Sequence, residues 1–319
     1  MMARDWPSLF MALRIAVLGR GAWGQALITL WQQQGHQLRS WSRGDASDPA
    51  QVLSDADLVV SAVAMVGIQG LAEQLSDHWP HAVPLLSCSK GLDPDRLMTA
   101  SRLWSERIST PLAVLSGPNL AHEIQSGLPA TSVVSSHCPA LSSRLQRSLG
   151  SDKFRLYSND DPLGTEVAAA LKNVMAVAAG LCDGLQQGNN ARAALLTRGL
   201  AEMGIVQQWL GGRPQTLFGL AGLGDLLATA TSPLSRNYRC GLLLAAGMDV
   251  HQAIETIGAT VEGPRTARAA LKLAAQRNGA LPICEQVVAV CEARTTAAQA
   301  ALSLMQRDLR AETLSEQQA

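Results

Sequence analysis

The residues best suited to chemistry in this chain are charged or amide side chains set into apolar or glycine-rich segments. Lys172 and Asn173 interrupt a helical pattern whose flanks, 167–170 and 174–179, are apolar almost all round. A helix apolar on every face is buried. A buried lysine is costly unless paired, and burial pulls its pKa down towards neutrality. Such a group can exchange a proton with a carbonyl or an alcohol. The competing reading is a lysine that snorkels to the surface or pairs structurally with a carboxylate. Asp225, in Gly222-Leu223-Gly224-Asp225-Leu226, is the expected charge partner. Thr229 lies four residues on, so both face the same way if a helix starts near Gly224. Ser235-Arg236-Asn237 follows Pro233 at an expected helix start, where a guanidinium beside free backbone N–H groups suits a phosphate. Lys90, in Ser87-Cys88-Ser89-Lys90-Gly91, and the segment Ser116-Gly117-Pro118-Asn119-Leu120-Ala121 each follow a predicted strand.

The start of the chain carries a second constellation. The strand Arg14-Ile15-Ala16-Val17-Leu18 runs into Gly19-Arg20-Gly21-Ala22-Trp23-Gly24 and then into an apolar helix pattern. Gly19 permits the tight turn, Gly21 lets backbone approach a pyrophosphate, and Gly24 brings helix and strand together, with the helix N-terminus facing the phosphates. The second strand ends Ser40-Trp41-Ser42-Arg43, where an NAD site usually carries an acid. Arg43 suits a ribose 2′-phosphate, so NADP is expected in preference to NAD. The alternative is an ordinary solvated surface arginine. Asp45 lies further along in a loop. Taken together, these groups describe a cationic pocket for a small phosphorylated carbonyl compound beside a nicotinamide.

The elements that position them form two halves. Apolar runs at 14–18, 37–41, 58–62, 84–88, 113–116 and 131–135 alternate with helical patterns, with 154–157 as a last edge strand. This predicts an α/β fold with a mostly parallel sheet of Rossmann type. From Asp160 onward the spacing is helical, at 164–181, 190–210, 235–246, 264–278, 282–294 and 296–309. The expected domains are therefore 1–158, binding dinucleotide, and 159–319, all-α and carrying the substrate and catalytic groups. Ligand should lie between them, at the carboxyl ends of the strands.

With 319 residues the chain can fill two cores, and 26 basic against 26 acidic residues give no argument for a nucleic-acid partner. No uninterrupted apolar run nears the roughly 20 residues of a membrane span. Residues 1–12 lack the long apolar stretch of a secretory signal and read as a dispensable extension before the first strand, while 312–319 read as a fraying polar tail. The six cysteines form no Cys-x-x-Cys pair and read as small core residues of a reduced, cytoplasmic protein. The six histidines lack ligand spacing, so no metal is expected.

In order along the chain, Gly-x-Gly-x-Trp-Gly, Ser-Lys-Gly-Leu, Ser-Gly-Pro-x-x-Ala, Leu-Lys-Asn, Gly-Leu-Gly-Asp-Leu and Ser-Arg-Asn are similar to NAD(P)-dependent glycerol-3-phosphate dehydrogenases of the bacterial type, from Leu13 to about Glu292. The resemblance implies reversible reduction of dihydroxyacetone phosphate to sn-glycerol 3-phosphate for glycerophospholipid synthesis. It implies that Lys172 is the general acid and base, with Lys90, Asn173, Asp225 and Thr229 around the reacting centre. Gly117, Asn119 and Ala121 would line the cleft, and Ser235, Arg236 and Asn237 would hold the substrate phosphate. Gly19, Gly21, Ala22, Trp23, Gly24, Arg43, Lys90, Ala121, Arg236 and Glu262 would contact the cofactor. The chain departs from the family in having Asn119 where a serine is usual, in the short segment 42–57, and in lacking Pro-Ser within Ala62-Val63-Ala64-Met65-Val66. A related two-domain reductase acting on a β-hydroxyacid or ketopantoate is the nearest alternative, and a non-catalytic dinucleotide sensor the more distant one. The apolar stripes of the helical half point to a homodimer.

Overall fold

In the computed structural model, residues 12–308 are described; the readings made for residues 1–11 and 312–319 lie outside them. Seven short apolar runs pair into one sheet: β1 (Arg14–Leu18), β2 (Gln37–Trp41), β3 (Leu58–Ser61), β4 (Leu85–Ser87), β5 (Leu112–Ser116), β6 (Ala130–Ser135) and β7 (Phe154–Asn159). The order is β2-β1-β3-β4-β5-β6-β7. All neighbours are parallel except β5 and β6, where Val114 faces Ser135 and Ser116 faces Val133. The chain leaves β2 at one edge and recrosses β1 to reach β3, so a crevice opens above the carboxyl ends of β1 and β3. That crossing has only one turn of 3-10 helix, Pro49–Leu53, capped by Asp48, as the short 42–57 segment requires.

Helices cover both faces: α1 (Ala22–Gln33), α2 (Met65–Leu75), α3 (Ala100–Ser105), α4 (Ala121–Gln125) and α5 (Pro139–Leu149). One apolar layer joins Ile15, Val17 and Val60 to Leu27, Trp31 and Leu145. The other joins Leu18 and Val59 to Ile68, Leu75 and Trp104. The reversal at β6 was not foreseen. The connection from β5, residues 117–129, holds only the five-residue α4.

The helical half comprises α6 (Pro162–Gly184), α7 (Gly188–Leu210), α8 (Pro214–Leu217), α9 (Asp225–Ala230), α10 (Arg236–Ala245), α11 (Val250–Ile257), α12 (Gly263–Gln276), α13 (Pro282–Cys291) and α14 (Ala297–Met305). α6 is its axis. Asp161 caps it by accepting the Gly164 N–H at 2.9 Å, with Pro162 in the first turn. Among the described residues it is the one helix long and apolar enough to cross a membrane, and 89% of its most apolar window is buried inside the protein. α10 crosses it at backbone contact. A Cβ on Gly180 would stand 2.1 Å from the Tyr238 carbonyl oxygen, and one on Gly241 would stand 2.1 Å from that of Val177. Helix α11, opened by an Asp249–Gln252 capping box, was not anticipated. Five cysteines are buried, but Cys138 is exposed at the start of α5, against the expectation that all are core residues.

Candidate active site

The dinucleotide end of the crevice is made largely of backbone. Gly19 turns the chain at φ +100°, and a Cβ there would meet the Ala62 carbonyl oxygen at 2.7 Å. A Cβ on Gly24 would lie 1.9 Å from the Gly19 carbonyl oxygen, so only glycine lets α1 start this close to the strand. The face of Gly21 is open, with nothing within 4 Å of where a Cβ would be. No side chain caps α1, whose first residues are Ala22 and Trp23. Its initial N–H groups therefore have no intrahelical partner and suit an anion. A turn forced by Gly19, an open approach at Gly21 and an uncapped helix start together fit the pyrophosphate of a dinucleotide. Trp23 and Ala121 pack on the same apolar layer beneath this end. Arg43 is exposed just beyond β2.

The other end is made of buried charge. The loop after β4 carries Lys90, and Ser89 ties that loop to the end of β3 by donating to the Val63 carbonyl at 2.7 Å. Lys90 Nζ donates to Asp225 Oδ2 at 2.7 Å and to the Gly117 carbonyl at 3.1 Å. Gly117 can present that carbonyl because β6 passes so close that a Cβ would lie 2.9 Å from Ser132 Cα. From α6, Lys172 Nζ donates to Asp225 Oδ1 at 2.9 Å and to Thr229 Oγ1 at 2.6 Å. Thr229 in turn donates to Asp225 Oδ1 at 3.1 Å. Asp225 opens α9 directly after a π-helical turn, Leu220–Gly224, a local widening frequent at functional sites. The expected shared face of Asp225 and Thr229 is thus present.

The electrostatics follow from one carboxylate serving two ammonium groups. Asp225 is 1% exposed, and burial alone would raise its pKa, but Lys172 and Lys90 hold it below its ordinary value. Lys172 is 8% exposed. Burial, with Lys90 and Arg236 as further cations, outweighs the pull of Asp225 and brings Lys172 down from 10.5 to about 8. The cluster is left with one positive charge in excess, which makes its most buried proton the easiest to lose.

A second network lies beside the first. Asn237 Nδ2 donates to Asn173 Oδ1 at 2.9 Å, and the Gly263 N–H donates to Asn237 Oδ1 at 2.9 Å. This locks the starts of α10 and α12 onto α6. Ser235 caps α10 by accepting the Tyr238 N–H. Of the Ser235-Arg236-Asn237 triplet, Arg236 alone is exposed; the other two are buried. Glu262 reaches across the halves, accepting the Met65 N–H at 3.2 Å, and burial raises its pKa. Asn119 turns to β6, donating to the Thr131 carbonyl at 3.2 Å and accepting from Ser132 Oγ at 2.7 Å. The structure therefore brings Lys90, Gly117, Lys172, Asp225 and Thr229 into direct contact, links Asn173 to Asn237, and leaves Arg43 apart at the edge of the sheet.

Several supporting residues were not singled out from sequence. Glu166, buried on α6, accepts the Ser101 N–H at 2.8 Å and the Ser101 hydroxyl, tying α6 to α3. A carboxylate in an apolar helix is the same signal that exposed Lys172. Gly180 and Gly241 carry a signal too, since glycine inside a helix costs about 1 kcal/mol against alanine and needs a reason.

A dinucleotide-binding sheet joined through a shared carboxylate to a helical domain with a buried lysine defines the class of two-domain NAD(P)-dependent dehydrogenases. Residues 45–142 match the family described as NAD-dependent glycerol-3-phosphate dehydrogenase N-terminus, and 161–302 match the corresponding C-terminus. A glycerol-3-phosphate dehydrogenase [NAD(P)+] of Synechococcus sp. (strain RCC307) is 55% identical over 95% of this chain and 100% of its own. The crystal structure of the glycerol-3-phosphate dehydrogenase of Coxiella burnetii superposes with a TM-score of 0.88 at 31% identity, covering 93% of this chain and 99% of that one. A ketopantoate reductase of Ralstonia eutropha shares the fold alone, at 13% identity and a TM-score of 0.52 over 91% of this chain and 99% of that one. The chain belongs to the NAD(P)-dependent glycerol-3-phosphate dehydrogenase family.

Proposed function

We propose that this chain reversibly reduces dihydroxyacetone phosphate to sn-glycerol 3-phosphate, using NADPH in preference to NADH. The observation that carries this reading is the shared carboxylate: Asp225 holds Lys90 of the sheet half and Lys172 of the helical half on its two oxygens. When bound, the reduced nicotinamide supplies a hydride to the ketone carbon. An ammonium has three protons to donate. Lys172 uses two, on Asp225 and Thr229, and the third is left for the substrate oxygen. Lys172 gives that proton as charge develops on the oxygen, and takes it back from the hydroxyl in the oxidation. Lys90 stabilises the developing oxyanion. Asp225, firmly ionised, keeps both lysines in place without competing as a proton donor.

Arg236 takes the substrate phosphate at the start of α10, with Ser235 and Asn237 holding that helix start in position. Gly117, Asn119, Ala121 and Asn173 line the cleft. Gly19, Gly21, Ala22, Trp23 and Gly24 hold the pyrophosphate side of the cofactor, Arg43 the 2′-phosphate, and Lys90, Arg236 and Glu262 the nicotinamide side. The reading extends to a cytoplasmic homodimer, not inserted in the membrane, that feeds glycerophospholipid synthesis; the burial of α6 supports its being a core helix. Oxidation of NADPH by purified protein with dihydroxyacetone phosphate, with NADH run in parallel and ketopantoate as a second substrate, is the test. Turnover with dihydroxyacetone phosphate is expected, faster with NADPH. Turnover only with ketopantoate would replace this reading by that of a related reductase.

A further inference from the structure

Resting on the dinucleotide reading above, we infer that Arg20 and Asp45 act as an opposed pair at the ribose 2′ position, letting one site accept the cofactor with or without a 2′-phosphate. Asp45 is three residues too late in sequence to be the usual strand-end acid, but the loop folds it back. Its Oδ2 accepts the Ser42 N–H at 2.9 Å, and Ser42 is the first residue after β2. Its Oδ1 accepts from the Arg20 guanidinium. Arg20 is held beside it because the Gly19 N–H donates to the Trp41 carbonyl at 2.8 Å, clasping the ends of β1 and β2. The carboxylate thus sits at the end of β2, where an acid reads the ribose 2′-hydroxyl, and Arg43 lies two residues away in the same loop.

The chemistry of the two cofactor forms separates these groups. A 2′-hydroxyl donates to a carboxylate, so Asp45 favours the unphosphorylated form. A 2′-phosphate is repelled by that carboxylate and bound by guanidinium groups. Arg20 does double service. Paired with Asp45 it cancels much of the repulsion, and turned outward it joins Arg43 on the phosphate. The turn is easy, because the pair is partly exposed, at 39% for Arg20 and 22% for Asp45, and exposed ion pairs are weak. Asp45 without Arg20 would reject the phosphate, and Arg20 without Asp45 would give up the hydroxyl contact.

Calorimetric titration with ADP-ribose and with 2′-phospho-ADP-ribose tests this without turnover. Asp45→Asn is expected to tighten 2′-phospho-ADP-ribose and weaken ADP-ribose, so that the ratio of affinities moves about tenfold, the size of one charge-assisted hydrogen bond. Arg20→Ala is expected to move the ratio the other way by a similar factor. It removes an exposed side chain and so carries the test even if Asp45→Asn loosens the loop. A ratio unmoved in Arg20→Ala overturns the pair while leaving the dinucleotide reading intact. Failure of the wild-type protein to bind either compound overturns both.

Discussion

The two halves of the cleft are built from different materials. In the proposed reading, the sheet half receives its ligand on backbone: an uncapped helix start, a turn forced by Gly19, and an open face at Gly21. Its charged groups, Arg20, Arg43 and the partly exposed Asp45, lie at the surface. The helical half works with charge taken out of water, Asp225 at 1% exposure and Lys172 at 8%. Holding a doubly charged pyrophosphate requires donors and shape, which backbone provides at any pH. Moving a proton near neutrality requires a lysine far from its ordinary pKa, and only burial beside a limited supply of counter-charge achieves that. In the proposed reading, pyrophosphate binding and proton transfer therefore fall on opposite walls, bridged by Lys90.

The sharpest way to break this division is Lys172→Ala. It removes the proton donor from one wall and leaves the other untouched, so turnover is expected to fall by about 10²–10⁴-fold. Asp225 keeps Lys90 as its partner, so the variant should fold and bind 2′-phospho-ADP-ribose as the wild type does. Turnover within a few-fold of wild type would remove Lys172 from the reaction. Gly24→Ala is the converse experiment. Its methyl would overlap the Gly19 carbonyl oxygen, and overpacking of this kind costs about 1–3 kcal/mol. ADP-ribose affinity should drop while the pH dependence of the residual turnover keeps its midpoint. A shifted midpoint would show that the two walls are not independent.

The same contrast explains what could be read from sequence. The glycine fingerprint and the strand runs were legible because strand, turn and helix geometry are local, and Gly19, Gly21 and Gly24 each have a reason within a few residues. Lys172 and Asp225 were legible because a charge in an apolar or glycine-rich run is conspicuous. What stayed hidden was non-local. The antiparallel turn of β6, the Gly180–Gly241 helix crossing and the Glu166–Ser101 tie each depend on a partner far along the chain. The resemblance sets Asn119 in the cleft; its amide is engaged on β6, and nothing in the local sequence indicates which way it turns.

The most discriminating comparison is a pH series run on both walls at once. Lys172 stands near 8 in the folded protein against an ordinary 10.5. In the reducing direction the protonated form is active, so kcat/KM should be flat below about pH 8 and fall tenfold per unit above it. In the oxidising direction the neutral amine is active, and kcat/KM should rise to a plateau above the same midpoint. Stability has its own sign. Below about pH 8 folded and unfolded chains both hold the proton, and the group contributes no slope. Between about 8 and 10.5 the unfolded chain binds more protons, so this group makes the fold more stable as pH rises. Asp225 acts in the acid range. Its pKa is depressed, so its contribution is complete above 3.8 and is lost as pH falls through the lower folded value. The pyrophosphate of ADP-ribose is proposed to rest on backbone N–H groups, which do not titrate, so its binding should stay level from about pH 7 to 9 while the two rate profiles cross. Lys172→Arg should erase both limbs, because a guanidinium keeps its proton throughout this range. Limbs that persist in Lys172→Arg would assign the titration to another group and leave the helical wall without its proton donor.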